Sequence, residues 1–337
     1  MKAFAYVDPR SLQDASTILA REGARARLIA GGVDLLGELK ERLVELEMLV
    51  NLKSVPGLDD LRFEADGSLR IGALAALSAV AAHERVRREF PAVAEAAESV
   101  GSPEIRNVGT VGGNLCQRPR CWYYRSALHN CLKKGGDVCF TTTGDSRYHA
   151  ILGGGPSFIV HPSDMAPALV ACDARVTVAG PAGKKEMPLE ALYVLPSVRI
   201  DHETILQPGE ILTEVRLPAS ASTAAGVRSR YLKFKERDSM DFALAAVAAS
   251  LSMQGATCAA ARLVLGGVAP VPWRSKAGET AVTGKSVDLA SAGAAADAAL
   301  ADAMPLPHNG YKVPLTKALI RRVLLDLASN GTDLGPA

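Results

Sequence analysis

Four of the chain's six cysteines fall between residues 116 and 139, spaced Cys116-x4-Cys121-x9-Cys131-x7-Cys139. Thiolates bind soft metals, and four of them saturate a tetrahedral zinc ion or a cubane iron–sulfur cluster. Zinc ribbons usually carry C-x-x-C knuckles, and this segment has none. Arg118, Arg120, Arg125, Lys133 and Lys134 lie among the thiols. Positive charge there favours thiolate ligands and offsets the charge of a thiolate-bound cluster. Spacing alone leaves three readings open: a cluster, a zinc ion, or four cysteines that are free or disulfide-paired. The six histidines (83, 129, 149, 161, 202 and 308) form no ligand pair at helical spacing. Cys172 and Cys258 sit in alanine-rich runs and are expected in the core.

Just before the thiols comes Thr110-Val111-Gly112-Gly113-Asn114, and a second glycine turn, Ala30-Gly31-Gly32-Val33-Asp34, lies far upstream. Neither fits G-x-G-x-x-G, so a Rossmann dinucleotide site is not supported. The upstream turn joins a predicted strand (ARLIAGG) to a predicted helix (VDLLGELKERL). Backbone amides at such a turn suit a phosphate, and two such turns could clamp one pyrophosphate from opposite sides. A third glycine run, 153–155, precedes a helix start at Pro162-Ser163-Asp164.

The remaining elements must position these turns. Residues 11–23 predict a helix with Ser11 and Asp14 as a capping box and Gly23 as a stop. Strands are expected near 48–52, on both sides of Asp66-Gly67, and at ARVTVAG and GEILTEVRLP. Helices are expected at 78–86 and 91–100. ASASTAAG, 219–226, reads as a linker. Beyond it, strands are expected at 231–235, 244–253 and 258–266, then helices at about 287–302 and 314–328. The uncharged run 242–261 is interrupted by Gln254-Gly255, which signals a hairpin between buried strands rather than a membrane span. The 337-residue chain carries 38 Lys+Arg against 36 Asp+Glu. That balance gives no basic footprint for nucleic acid.

Taken in order, Ala30 to Leu35, Ile105 to Leu115, Ser163 to Leu169 and Leu265-Gly266-Gly267-Val268-Ala269-Pro270 resemble the FAD-binding medium subunit of the molybdenum hydroxylases. That family includes xanthine dehydrogenase, carbon monoxide dehydrogenase and aldehyde oxidoreductase. The run CQRPRCWYYR…CLKKGGDVCF is similar to the FAD subunit of three-subunit bacterial aldehyde oxidoreductases, which carries an extra 4Fe–4S cluster. The resemblance implies an α+β fold. A two-part FAD domain of the vanillyl-alcohol-oxidase type is expected over 1–218, divided near residue 55, with a 4Fe–4S insertion at 115–140. A small α+β domain of the CO-dehydrogenase flavoprotein type is expected over 226–332.

It also implies roles. The amides of Ala30, Gly31, Gly32, Val33, Asp34 and Leu35 hold the FAD pyrophosphate, and Thr110, Gly113 and Asn114 grip it from the other side. Valine at 33, where relatives often have threonine, leaves that work to the backbone. Asp164 accepts from a ribose hydroxyl or another polar edge of FAD, with helix capping as the plainer reading. Lys233 points at the flavin's polar edge, with Lys235 as a rival and a solvated strand lysine as the plainer reading, and Ile211 either covers an apolar part of the ring or packs in the core. Cys116, Cys121, Cys131 and Cys139 ligate the cluster. Trp122, Tyr123 and Tyr124 are expected mainly to pack the insertion. The partners implied are a large molybdenum-cofactor subunit and a small 2Fe–2S subunit, in a heterotrimer that could dimerise. Either a cytoplasmic or a periplasmic home fits, since related assemblies are exported on a signal carried by the small subunit. The rival assignments are a xanthine dehydrogenase or hydroxybenzoyl-CoA reductase subunit, a stand-alone flavin oxidase and, from another class, a zinc-stabilised structural protein without flavin.

Overall fold

A computed structural model describes residues 1–329 of the chain in three sheets with helices between them. The expected limit at 332 lies outside the described residues. The first sheet is parallel, ordered β1 (Ala5–Val7), β3 (Met48–Asn51), β2 (Ala26–Ile29). Its crossovers are helices α1 (Leu12–Glu22) and α2 (Leu35–Lys40). The Ser11 hydroxyl caps α1 by accepting from Asp14 N at 3.1 Å. Asp14 reaches past Ser11 to Arg10 N, at 3.0 Å, so the capping box is shifted by one residue. Gly23, at φ 56°, ends the helix where a side chain would be strained.

The second sheet is antiparallel, ordered β4 (Leu61–Phe63), β5 (Leu69–Gly72), β8 (Ile211–Leu217), β6 (Arg175–Gly180), β7 (Gly183–Pro188). Between β5 and β6 run α3 (Leu77–Ala82), α4 (Glu84–Glu89), α5 (Pro91–Ser99), α6 (Pro103–Val108), α7 (Val111–Leu115), α8 (Trp122–Arg125) and α9 (Met165–Ala171). The single helix expected over 78–86 is two helices. His83 leaves helical geometry, and its ring nitrogen accepts from Val86 N at 3.3 Å, so it caps α4. Histidine is not among the usual cap residues, and its neighbours keep an unbroken helical pattern.

The third sheet is ordered β12 (Trp273–Arg274), β11 (Thr257–Gly266), β10 (Ala245–Gln254), β9 (Val227–Phe234), followed by α10 (Lys276–Val282), α11 (Leu289–Ala299) and α12 (Lys312–Ala328). Helix α10 was not expected from sequence; Ser275 caps it through Gly278 N at 3.1 Å. The segment 219–226 forms two short 3-10 turns, closed at Gly226 with φ 77°. Strand β10 is buried on both faces. Ala246 and Ala248 pack into a core with Val93 and Leu169, while Val247 and Leu251 pack with Ile320 and Leu324 from α12. Each fully buried leucine or isoleucine contributes roughly 2 kcal/mol. This two-sided burial explains why 242–261 is uncharged. The run folds as the β10–β11 hairpin, and among the described residues no helix is long and apolar enough to cross a membrane.

Lys312, at the start of α12, is fully buried, and its ammonium donates to Tyr148 O at 3.0 Å and Gly267 O at 2.8 Å. Burial pushes its pKa down to about 7. The unfolded chain keeps the ordinary lysine value, about 10.4, so between these two pH values the unfolded state binds the extra proton. Stability is therefore expected to rise with pH from about 7 to about 10. Denaturant titration of Lys312→Met across that window should show the rise flattened.

Candidate functional site: a cleft between two glycine turns

The turn after β2 and the turn before α7 meet. A Cβ built on Gly31 would lie 2.0 Å from the Val108 carbonyl oxygen and 2.8 Å from its carbon, so only glycine permits this approach. Gly32 takes φ 73°, which favours glycine again. Together the turns wall a cavity of about 570 Å3, which also reaches Asp164. Residues 30–35, Thr110, Gly113 and Asn114 all line it.

The two turns are not equivalent. Among the described residues, the amides of 31–35 donate to nothing within the chain. They stand between the end of β2 and the start of α2, where a helix leaves its first amides unpaired. The second turn uses its amides internally. Val111 N donates to Ala75 O at 3.0 Å, Gly112 N to Ala73 O at 2.8 Å, and Gly113 N to the Thr110 hydroxyl oxygen at 3.1 Å. Asn114 Oδ1 accepts from the Ser163 hydroxyl at 2.5 Å. What remains for a ligand on that side is the Thr110 hydroxyl proton and the Asn114 side-chain NH2. The expected symmetric pair of amide nests is therefore one nest facing a rigid wall.

Asp164 lies at the start of α9 but makes no capping bond with its side chain. That part is taken by Ser163, whose hydroxyl accepts from Ala166 N at 2.9 Å. The Asp164 carboxylate accepts from the Tyr231 hydroxyl at 2.6 Å and from Lys233 Nζ at 2.8 Å. Burial, reinforced by the neighbouring carboxylate, drives the Tyr231 hydroxyl well above its ordinary pKa, so it stays a donor. Lys233 Nζ also donates to Ser99 O at 3.1 Å. It does not line the cleft; it lies behind Asp164 and holds that carboxylate. Ile211 is likewise off the cleft, buried in a core with Ala15, Val50 and Leu52, while its neighbour Leu212 lines the cavity. Lys235 donates to Asp238 O and Ser239 O on its own loop.

The cysteine insertion docks against the first turn. Asp34 accepts from Arg118 N at 2.6 Å, from Arg125 Nη2 at 2.6 Å, and from Arg120 Nη1. Tyr124 donates to Glu38 Oε1 at 2.7 Å. Glu203 pairs with Arg118 at 3.0 Å and with Lys133 at 2.7 Å. The basic residues read as surrounding the thiols are thus largely neutralised by carboxylates. Accordingly burial dominates at the sulfur, pushing the Cys121 thiol up to about 11 although the Tyr123 and Tyr124 amides point to it.

All six cysteines are free. Cys121, Cys131 and Cys139 line one narrow cavity of about 10 Å3, together with the buried Ser157. Cys116 is elsewhere. It ends α7, lies beside Tyr193 and lines the large cleft, where burial raises its thiol to about 12. Tyr123 stacks on Phe140, and Trp122 meets Tyr148 and His149 edge-on, so the aromatics pack the insertion. Cys121 also borders a second cavity of about 280 Å3 that shares Asp164 and Phe242 with the large cleft. Among the described residues, no three His, Cys, Asp or Glu side chains are placed to hold a single metal ion.

Three partners of this site were not singled out from sequence: the Asp34 carboxylate as an arginine anchor, Glu203, and Tyr231. The arginines of CQRPRCWYYR were visible, but their attraction to Asp34 spans more than eighty residues and has no local signature.

Comparison with known proteins places this geometry. Residues 2–220 match the family described as the FAD binding domain in molybdopterin dehydrogenase, and residues 230–327 match the CO dehydrogenase flavoprotein C-terminal domain. The chain is 36% identical to the aldehyde oxidoreductase FAD-binding subunit PaoB of Escherichia coli, over 97% of this chain and 98% of that protein. It is 27% identical to the carbon monoxide dehydrogenase medium chain of Hydrogenophaga pseudoflava, over 95% of this chain and 96% of that one. A solved carbon monoxide dehydrogenase from the same organism superposes with a TM-score of 0.77 at 27% identity, covering 98% of both chains. Quinoline 2-oxidoreductase from Pseudomonas putida 86 superposes at 0.74, also 27% identical, over 98% of this chain and 99% of that one.

Proposed function

The chain belongs to the FAD-binding subunits of the molybdenum hydroxylase family, and on that premise we propose that it is the FAD- and 4Fe–4S-carrying electron-transfer subunit of a molybdenum-containing aldehyde oxidoreductase. Its partners in this reading are a large molybdenum-cofactor subunit, where the aldehyde is oxidised, and a small 2Fe–2S subunit that passes electrons on. Family membership removes the rival of a zinc-stabilised protein without flavin. Aldehyde as the substrate class rests on the likeness to the aldehyde oxidoreductase subunit over the whole chain.

The observation that carries the proposal is the row of uncommitted amides at 31–35, held against the second turn by an approach only glycine allows. These donors fit a diphosphate. Asp164, fixed by Tyr231 and Lys233, offers a carboxylate to the same cavity. A bound flavin supplies the exchange between one-electron carriers and a two-electron acceptor. This chain's own contribution is to orient and bury it. The soft donor set of Cys121, Cys131 and Cys139 supports an iron–sulfur cluster, whose ligands stand apart around a multi-atom core. Its entry requires the thiols to turn outward from their narrow cavity and to lose their protons. Cys121 also borders the cavity that shares Asp164 and Phe242 with the flavin cleft, so a cluster held by these thiols would lie near a bound flavin.

The test is to purify the chain with its natural partners and record its spectrum, metals and subunits. About one FAD per chain is expected, with a molybdenum subunit and a 2Fe–2S subunit bound, and with flavin bleaching on addition of aldehyde. Iron beyond the 2Fe–2S content is expected, and Cys131→Ser should lower it. A folded complex without flavin contradicts the proposal, and flavin that stays oxidised with every aldehyde contradicts the substrate class.

A further inference from the structure

We infer that Ser157, and not Cys116, supplies the fourth ligand beside Cys121, Cys131 and Cys139; the inference rests on the reading of the insertion as a cluster site. The three cysteines and Ser157 share one cavity. Ser157 is 2% exposed, and among the described residues no hydrogen bond engages its hydroxyl. It arrives on the loop after Gly155, outside the cysteine run, and so closes the cavity from a separate segment of chain. That hydroxyl is uncommitted within the chain and is free to bind a group held by the three thiols.

Cys116 faces a different space. It lines the flavin cleft and packs against the core formed by Leu115, Met165 and their neighbours. To reach the other three thiols it would have to leave the end of α7, whose backbone is fixed by Cys116 N donating to Gly112 O at 3.0 Å. His149 is the other nitrogen donor nearby, with Nε2 3.2 Å from Cys121 Sγ. It lines the second cavity and not the one shared by the three thiols and Ser157.

Ligation by serine forms an iron–oxygen bond as the hydroxyl proton leaves to water, with no change in electron count. An alkoxide is a harder donor than a thiolate and favours the more oxidised cluster, so the potential falls relative to an all-cysteine site.

The complex, purified without oxygen, should be assayed for iron per flavin, and its EPR spectrum recorded after stepwise reduction. The wild type sets the frame: iron no higher than the 2Fe–2S content sinks the cluster reading itself. With the extra iron present, Cys116→Ala is expected to keep both the iron and the signal. Ser157→Ala is expected to lose at least one iron per chain or to convert the signal to that of a three-iron cluster. Ser157→Cys, close in volume, should keep the iron, shift the signal and raise the potential; it carries the test if the alanine variant does not assemble. Loss of the cluster in Cys116→Ala overturns the inference, as does a Ser157→Cys signal identical to wild type.

Discussion

Gly31→Ala is expected to weaken FAD binding on the order of 100-fold while leaving the three sheets folded. The added methyl would lie 2.0 Å from the Val108 oxygen, well inside van der Waals contact. That oxygen is backbone, and the next residue is held by two bonds: Gly109 N donates to Ile105 O at 2.7 Å, and Leu77 N donates to Gly109 O at 3.0 Å. No side chain can rotate away to make room, so the turns must part. Overpacking of this kind costs about 3 kcal/mol, and if the cleft opens by that amount the flavin affinity falls on the order of 100-fold. Titration of the deflavinated variant with FAD, followed by flavin fluorescence, measures this directly. Gly32→Ala meets only a leucine side chain at 3.0 Å but carries the strain of φ 73°, so a smaller loss is expected there. Equal binding by Gly31→Ala and wild type would show that the close approach of the turns has no bearing on the ligand.

The second large effect is expected from Asp34→Ala. The carboxylate is mostly buried and meets two guanidinium groups and one amide of the insertion. Removing it leaves Arg120 and Arg125 facing each other without their counter-charge. Breaking one partner of a buried pair costs about 3 kcal/mol. Because Asp34 is the main polar link between the insertion and the first turn, that cost should appear as local opening rather than global unfolding. Limited trypsin digestion should therefore cut the variant at Arg120 or Arg125 under conditions where the wild type is resistant. Iron content should fall with it, since Cys121 sits between these arginines. Asp34→Asn keeps the acceptor oxygen and should be intermediate. A protection pattern unchanged in Asp34→Ala would mean that Glu38 and Glu203 hold the insertion without it.

Much of this site could be read from residue types. The glycine turns were legible because a strand, two glycines and a helix start admit few geometries, and because alanine-rich Phe242–Ala261 broke at Gln254-Gly255 as a hairpin does. The doubly buried β10 followed from the same pattern. Less legible was anything decided by distant pairing. Lys233 sits on β9 with its neighbours alternating in burial, and nothing local reveals that its ammonium meets Asp164 rather than open cleft. The four cysteines looked like one set because they are close in sequence. The end of α7 separates Cys116 from the rest, and only the folded chain brings Ser157 to the cavity. His83 broke a helix whose apolar pattern continued through it, because a cap is decided by one side-chain bond rather than by periodicity.

The claim on which the account turns is that the amides of residues 31–35 recognise a diphosphate. Competition on the deflavinated subunit within its complex tests it most directly. FAD should bind tightly, ADP should compete for the same site, and riboflavin, which has the ring but no phosphate, should bind far more weakly. If riboflavin binds as well as FAD and ADP does not compete, the cleft between the glycine turns is not a diphosphate site and the account is contradicted.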